Sequence, residues 1–584
     1  MDITELQDTQ IWGLYERGRN YHRLVGIPTD TDRNHRFYNG NQWEGAKLDG
    51  VEPVQNNFIK PIVKYKVAVI HDNLYAVNYS SMNFENTEFR KEAKRYCEML
   101  NRYAMRVWEQ DKMDYKGRKI TKHSAINDEG IMYVDFDKEK MMPRNEIVKK
   151  NDIFYGNENE EDIQLQPYII IRKRMPLSNA IDYALAQGVS EADLQFIVTD
   201  NDTHELSGEA AKQEVNDGVT ILYKFYKKDG TVRFSSSTRF LDIVEDADMG
   251  ITLYPIAHFN WEEKEGSARG EGEVRYLIPS QIEVNKTEMR RVLTVKKQAY
   301  PKQVANVSKI DNPHELDTVG GTIRTSELTV DDVMKIIGTI PPAQMSPDVK
   351  QLQDDLIQKA RDLAGAGDTA TGQVNPESAS GRAILAVQQA SQAPMTEQKE
   401  SYKNFIEDLA RIWLEYLTVY SVDGVKLEEE TTDETGEKVI NMVSVPQSVF
   451  KELKATVKID ITPKGVYDRF AQEQTIENLL INGFFNSERI GELKAYAEAL
   501  DDDSVAPKMK ILEIIENIEE RMNQIAMINA NAELMKQRVN QFLSSDPNAQ
   551  ASQMAQALGM QQAQIPMDEE VTDEVAEAEN VDDN

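Results

Sequence analysis

Apolar residues change their spacing several times along this chain, and each change marks a predicted element. The run Phe58–Val77, interrupted by Lys60, Lys64, Lys66 and Asp72, predicts a buried helix. Residues 86–127 place apolar side chains at helical spacing in a background of Lys, Arg and Glu. The spacing then shortens to two. Met132, Val134 and Phe136 alternate with polar residues, as a half-buried strand requires, and Tyr168–Ile171 is a continuous apolar run. Val219, Ile221, Tyr223 and Phe225 share one face of another strand. Lys227-Lys-Asp-Gly230 supplies an Asp-Gly hairpin turn into Thr231–Phe234. Acidic, polar stretches at 150–165 and 198–217 predict surface loops, and residues 1–30 predict mixed helix and loop without a clear core. The fold class expected of the first 276 residues is therefore α+β.

Residues 277–420 carry a more unusual order: helix, small strand-rich insert, helix, glycine-containing loop, long helix. Ser280 and Glu283 make a capping box and Pro279 brings a pre-set φ, so the first helix is expected to start there and run to Ala299. The insert offers Val304–Val307, Thr322–Thr325 and Met334–Ile337 as short strands. Ser346-Pro347-Asp348 combines an N-cap, a first-turn proline and an acid beside the positive dipole end, and starts a second helix that ends at Gly365-Ala-Gly367. Met289, Val292 and Leu293 are expected to pack against Leu352, Leu356 and Leu363. Residues 368–380 form a small, polar loop without Lys or Arg. A long helix follows from 381 to about 420, where Pro394 removes a backbone donor and predicts a kink at 390–394.

Asp423-Gly424 marks a turn, Glu428–Glu437 reads as an acidic loop, and Val457, Ile459 and Ile461 alternate as a strand before Pro463. From residue 466 the pattern is helical. With Ile511 as position a, the a positions are Ile511, Ile518, Ile525, Ala532 and Val539, and the d positions are Ile514, Arg521, Ile528, Met535 and Phe542. A seam of this kind suits neighbouring helices, whether of the same chain or of others. Residues 546–584 are polar and then acidic, and disorder is expected there.

The chain has 584 residues, so several domains are expected. Its single cysteine, Cys97, rules out an intrachain disulfide framework, and the seven histidines fall in separate segments without metal-ligand spacing. No Walker A or GxSxG sequence is present, and Arg275 spoils GxGxxG after Gly266, Gly270 and Gly272. The residues do not read as an enzyme, and no cofactor or metal is expected. No stretch of 18 uninterrupted apolar residues occurs, so no spanning helix is expected, and Met1–Leu6 does not read as a secretory signal. The formal net charge of −32 opposes tight binding of duplex DNA. Either DNA is not a partner, or it passes without adhering.

Arg269-Gly-Glu-Gly-Glu-Val-Arg-Tyr-Leu-Ile-Pro-Ser-Gln281, followed by Asn285, resembles the start of the first stem helix in portal proteins of tailed double-stranded DNA bacteriophages. Asn375-Pro376 with Ser380-Gly381-Arg-Ala-Ile384 resembles the segment between that family's tunnel loop and long helix. Phe37-Tyr-Asn-Gly-Asn-Gln-Trp43, with Asn56-Asn57 and Phe58–Val69, resembles its N-terminal region. The resemblance in segment order covers roughly residues 30–545.

It implies a portal-like multidomain subunit: an N-terminal region and α+β wing (1–276), a two-helix stem (277–299 and 346–367), a small β-rich clip (300–345) and a tunnel loop (368–380). A long kinked wing helix with return strands (381–465), a helical crown (466–545) and a disordered acidic tail (546–584) complete it. The implied tunnel-loop residues are Asp368, Thr369, Thr371, Gly372, Gln373, Asn375, Glu377 and Ser380. Stem charges that could face a channel are Lys286, Arg290, Arg291, Lys296, Lys297, Asp354, Asp355 and Lys359; the plainer reading makes them solvated faces with ion pairs each worth under about 1 kcal/mol. The implied function is a structural ring of about twelve copies at one capsid vertex. Its implied partners are terminase large subunit, a head–tail connector, major capsid protein, scaffolding protein and duplex DNA that passes without tight binding. No membrane partner is implied, and synthesis in the host cytoplasm is. Two other classes stay open: another neck or baseplate protein, and a metal-dependent nuclease.

Overall fold

The computed structural model describes residues 7–47, 52–81, 87–200, 218–299, 303–318, 321–325, 337–340, 346–367, 393–432, 438–453 and 455–463, and in the C-terminal region 515, 518, 521, 522, 525 and 527–538. The chain divides into two units, residues 1–465 and 466–584.

In the first unit, α1 (Gln10–Val25) starts where the Thr9 side chain accepts a hydrogen bond from the Trp12 amide. Gly26, at φ +83°, ends it and turns the chain into α2 (Ile27–Asn39). Contrary to the expectation of no core at 1–30, Ile11, Trp12 and Tyr15 pack with Phe154, Ile170 and Leu222 as a separate buried cluster. α3 (Ile59–Ile70) buries Ile59, Ile62, Val63, Lys66, Val69 and Ile70, one face at helical spacing. The predicted helix through Val77 is too long. Residues Asn73–Ser81 form β1, because they pair antiparallel with Ala455–Pro463 at the far end of the unit. Sequence spacing cannot reveal so distant a partner.

α4 (Thr87–Gln110) and α5 (Met113–Asn127) follow, separated at Lys112, whose φ is +52°. Three strands make one sheet, in the order β3 (Met142–Val148), β2 (Glu129–Asp137), β9 (Ile256–Asn260). A five-stranded sheet runs in sequence order through β4 (Ile153–Tyr155), β5 (Tyr168–Pro176), β6 (Gly218–Lys228), β7 (Thr231–Ser237) and β8 (Asp242–Asp248). α6 (Leu177–Ala186) lies between β5 and β6 in the chain. Asp229 and Gly230, at φ +54° and +84°, make the predicted hairpin turn between β6 and β7.

β2 is not half-buried as predicted. Tyr133 stacks toward Tyr223 and Phe225 of β6, while Phe136 lies against Tyr416 and Tyr420 of the helix α9 (Thr396–Tyr420), so both faces are covered. The 150–165 stretch is a surface loop only at 156–162: Lys150, Asn151, Ile153, Phe154, Tyr155 and Ile163 are buried. Only residues 198–200 of the other predicted loop are described.

α7 (Glu273–Ala299) starts seven residues before the predicted capping box at Ser280, so Pro279 lies inside it. Pro279 cannot bond the Arg275 carbonyl, but both residues are exposed and water can serve that carbonyl. Beyond α7, β10 (Gln303–Ala305) pairs antiparallel with β11 (Ile337–Thr339). Thr322–Thr325 is not a strand; it is tied to Asp311 and Asn312 by three hydrogen bonds. Of Met334–Ile337 only Ile337 is described, and it begins β11.

α8 (Asp348–Leu363) ends as predicted. Gly365 takes φ +66°, its amide bonds the Asp362 carbonyl at 3.0 Å, and the Ala366 amide bonds the Arg361 carbonyl at 2.8 Å, a Schellman ending. Pro394 stands in a 3₁₀ turn, Ala393–Met395, directly before α9, and residues 381–392 lie outside the described ones. After α9, the supposed acidic loop is in part a strand: β12 (Val425–Thr432) pairs with β13 (Lys438–Val445). α10 (Gln447–Leu453) leads into β14 (Ala455–Pro463), the partner of β1. In the second unit residues 527–538 are helical, and Ile518, Ile525, Ile528 and Met535 of the predicted seam are exposed in the single chain. Ile511, Ile514, Val539, Phe542 and the acidic tail lie outside the described residues. Among the described residues no helix is long and apolar enough to cross a membrane.

Candidate functional site

The segment 269–285 is assembled by glycines that permit close backbone approach. A Cβ on Gly270 would lie 2.5 Å from the Glu262 carbonyl oxygen, and one on Gly272 would lie 2.9 Å from the Asp128 amide nitrogen. With no side chain there, the Gly272 amide donates to Asp128 Oδ1 at 2.8 Å, and the Gly270 amide to Asn260 Oδ1 at 3.0 Å. Arg269 is thereby driven inward.

Its side chain is 8% exposed and its guanidinium engages two carboxylates: Nη1 donates to Glu129 at 2.5 Å, while Nε and Nη2 hold Glu158 at 2.8 and 3.0 Å. Carbonyls of Lys150 and Ile153 and the Nε2 of His22 take further positions around it, and Tyr155 lies 4.8 Å beneath. Burial alone would lower the Arg269 pKa; Glu129 and Glu158 outweigh it and raise it. Burial likewise opposes ionisation of Glu129, but Arg269 and a 2.9 Å contact from His258 hold it at about 2. Glu129 stays a carboxylate and has no proton to give at neutral pH, so the cluster is a lock between segments. His22 and His258 both reach this cluster, His22 on Arg269 and His258 on Glu129, although no local spacing joins them. Among the described residues no group of three or more His, Cys, Asp or Glu is arranged to hold a metal ion.

The lock continues along α7. Glu273 pairs with Lys66 of α3 at 2.6 Å, both buried, which gives the lysine that interrupts the apolar face of α3 its reason. Gln281 accepts from the Phe58 amide at 3.1 Å and donates to the Asn56 carbonyl at 2.7 Å; Asn285 accepts from the Asn56 amide and donates to Gln42. Two motifs more than 200 positions apart therefore meet, and the N-terminal region grips the first turns of α7. The sequence reading named both motifs, and Lys66 only as a break in an apolar run; Glu129 and Glu158 carry no local signal.

The second half of α7 faces α8. Their apolar contact is the predicted one only in part: Leu356 faces inward, but Leu352 and Leu363 are 54% and 89% exposed, eleven residues apart on one outer face. The inner face of α8 consists of Gln353, Leu356, Ile357 and Ala360. Gln353 joins the helices, accepting from Arg291 and donating to Glu288, each at 2.6 Å. Of the eight stem charges named from the sequence, Arg291 is held by Glu288 and Gln353, Lys286 by Glu283 at 2.9 Å and Lys296 by Glu52 at 2.6 Å. Arg290, Lys297, Asp354, Asp355 and Lys359 are exposed and form no ion pair among the described residues. Arg290 and Lys297 are seven apart, hence on one face of α7. Asp368, Thr369, Thr371, Gly372, Gln373, Asn375, Glu377 and Ser380 lie outside the described residues.

With this geometry in view, the sequence model of the phage P22-like portal protein family matches residues 238–580, more than half of the chain. No curated protein matches it.

Proposed function

The chain belongs to the phage P22-like portal protein family and is a structural portal subunit of a phage capsid, and from that premise we propose which parts of it do what. α7 and α8 form the stem that lines part of a channel, and the β10–β11 hairpin belongs to the clip, where terminase docks and later the head–tail connector. Residues 368–380 form the tunnel loop around the DNA. The wing is built from the sheets of the first unit and meets the capsid protein, and residues 466–545 form the crown. About twelve copies close the ring.

The observation that carries this reading is the packed α7–α8 pair with a strand hairpin between its helices, inside the span that the family model matches. The exposed charges fit a sliding channel. Each channel-facing side chain recurs once per subunit, so Arg290 and Lys297 would form basic rings, and Asp354 and Asp355 acidic ones. Rings of opposite sign on the two helices deny duplex DNA a deep electrostatic minimum.

Electron microscopy of the purified chain should show rings with a central hole of roughly 20 Å or more, wide enough for duplex DNA. Deleting Gly372–Glu377 should leave those rings intact while lowering the yield of filled capsids. Normal packaging by the deletion variant would remove the tunnel-loop assignment, and a uniform population of monomers under all conditions would count against the ring itself.

A further inference from the structure

Against the net charge of −32, α3 and α5 of the first unit carry a run of exposed cations, with exposed Asp114 at its edge. On α5, Arg118 and Lys119 lie three and four residues after Tyr115, Lys122 lies four and three residues after them, and all four are exposed. α3 packs beside α5 and contributes exposed Lys60 and Lys64, one turn apart. Tyr38 of α2 fixes the two helices in register: Lys60 Nζ lies 5.9 Å and Lys122 Nζ 5.0 Å from the centre of its ring. None of these five cations forms an ion pair among the described residues. The pKa of the half-buried neighbour His123 is brought down to about 4 by burial and then by Lys119, His35, Lys122 and Lys149.

We propose that this α3–α5 face is a phosphate-binding surface for duplex DNA, separate from the stem charges. Its composition decides the partner class. Lysine is depleted at protein–protein interfaces, which centre on apolar and aromatic anchors, and among the described residues of α3 and α5 the large exposed apolar group is Tyr115, 68% exposed at the edge of the stripe. Clustered Lys and Arg with an interleaved tyrosine suit a polyanionic backbone. The α5 stripe is about 10 Å long, a length over which duplex DNA presents about six charges. Binding is weak, indifferent to sequence and steeply dependent on salt, because the rest of the surface is acidic. The inference rests on the portal reading for the presence of duplex DNA.

The test uses the full-length chain, its rings first confirmed by electron microscopy, and a fluorescent 30-base-pair duplex titrated from 25 to 200 mM NaCl. Neutralising Lys60, Lys64, Arg118, Lys119 and Lys122 to Gln should weaken binding at least tenfold at 50 mM and flatten the plot of log affinity against log salt by about 4. A control variant with Lys47, Lys94, Lys138, Lys264 and Lys458 changed to Gln loses the same charge elsewhere and should bind nearly as the parent does. If both variants bind alike, or the parent rings do not bind at all, the inference fails while the portal reading stands. If the patch variant is folded by circular dichroism but no longer forms rings, the face is a subunit contact and the DNA assignment is overturned. The milder pair Lys119→Glu with Lys122→Glu keeps the test open should the fivefold variant not fold, and it too must weaken binding.

Discussion

Arg269 is enclosed by groups that need its charge, and removing it should expose how much of the fold depends on them. Glu129 would remain buried without its main cation, a situation that typically costs about 3–5 kcal/mol. Arg269→Met should lower the urea midpoint at pH 7 correspondingly. The acid limb gives an independent sign. The folded-state pKa of Glu129 is depressed to about 2 from an ordinary 4.5, so its contribution is fully present above about 4.5 and is lost as pH falls toward 2. In Arg269→Met desolvation prevails, the carboxyl pKa rises, and acid unfolding followed by circular dichroism should begin at a higher pH than in the parent. An unchanged acid midpoint would mean that His258 and Lys150 hold Glu129 without Arg269. The sequence made Arg269 conspicuous by its motif but could not show its partners, since Glu129 and Glu158 lie more than 100 positions away in segments that read as a strand and a loop.

Elements were legible wherever local rules set their limits. The Asp229-Gly230 hairpin and the glycine ending of α8 follow from φ values that few residues other than glycine, asparagine and aspartate adopt readily. Elements failed where distant chain intervened: β1 read as helix because its partner β14 is nearly 400 residues away, and β2 read as half-buried because α9 and β6 each cover a face. The start of α7 belongs to the same class. The capping box at Ser280 is a sound local signal, but Asp128 and Lys66 fix the chain at Gly272 and Glu273 instead. Two glycines of that loop should therefore respond differently to alanine. Gly266 has φ +69° and open space around it, so Gly266→Ala should cost about 1 kcal/mol. Gly270 faces a carbonyl oxygen at 2.5 Å, and Gly270→Ala should cost roughly 2–3 kcal/mol because backbone must shift. Denaturation midpoints of the two variants side by side decide the ordering, and equal losses would contradict the close-approach argument.

At the scale of the whole molecule, charge and assembly pull against each other. Each copy brings a formal charge of −32, and a ring concentrates many copies, so closing it works against self-repulsion. What favours closure must be short-ranged, and the single chain leaves suitable groups uncovered: Leu352 and Leu363 on the outer face of α8, Val295 on α7, and Ile518, Ile525, Ile528 and Met535 in the C-terminal region. Apolar burial does not weaken with added salt, whereas repulsion beyond about 10 Å is screened at 0.1 M and beyond about 3 Å at 1 M. The ring fraction measured by mass photometry should therefore rise as NaCl goes from 25 mM to 0.5 M at constant protein concentration. Changing Leu352 and Leu363 together to Ser should lower that fraction at every salt concentration without altering the slope. A ring fraction that fell with salt would instead place complementary charges at the subunit contact, and the exposed cations of α3 and α5 would then be the first residues to reverse.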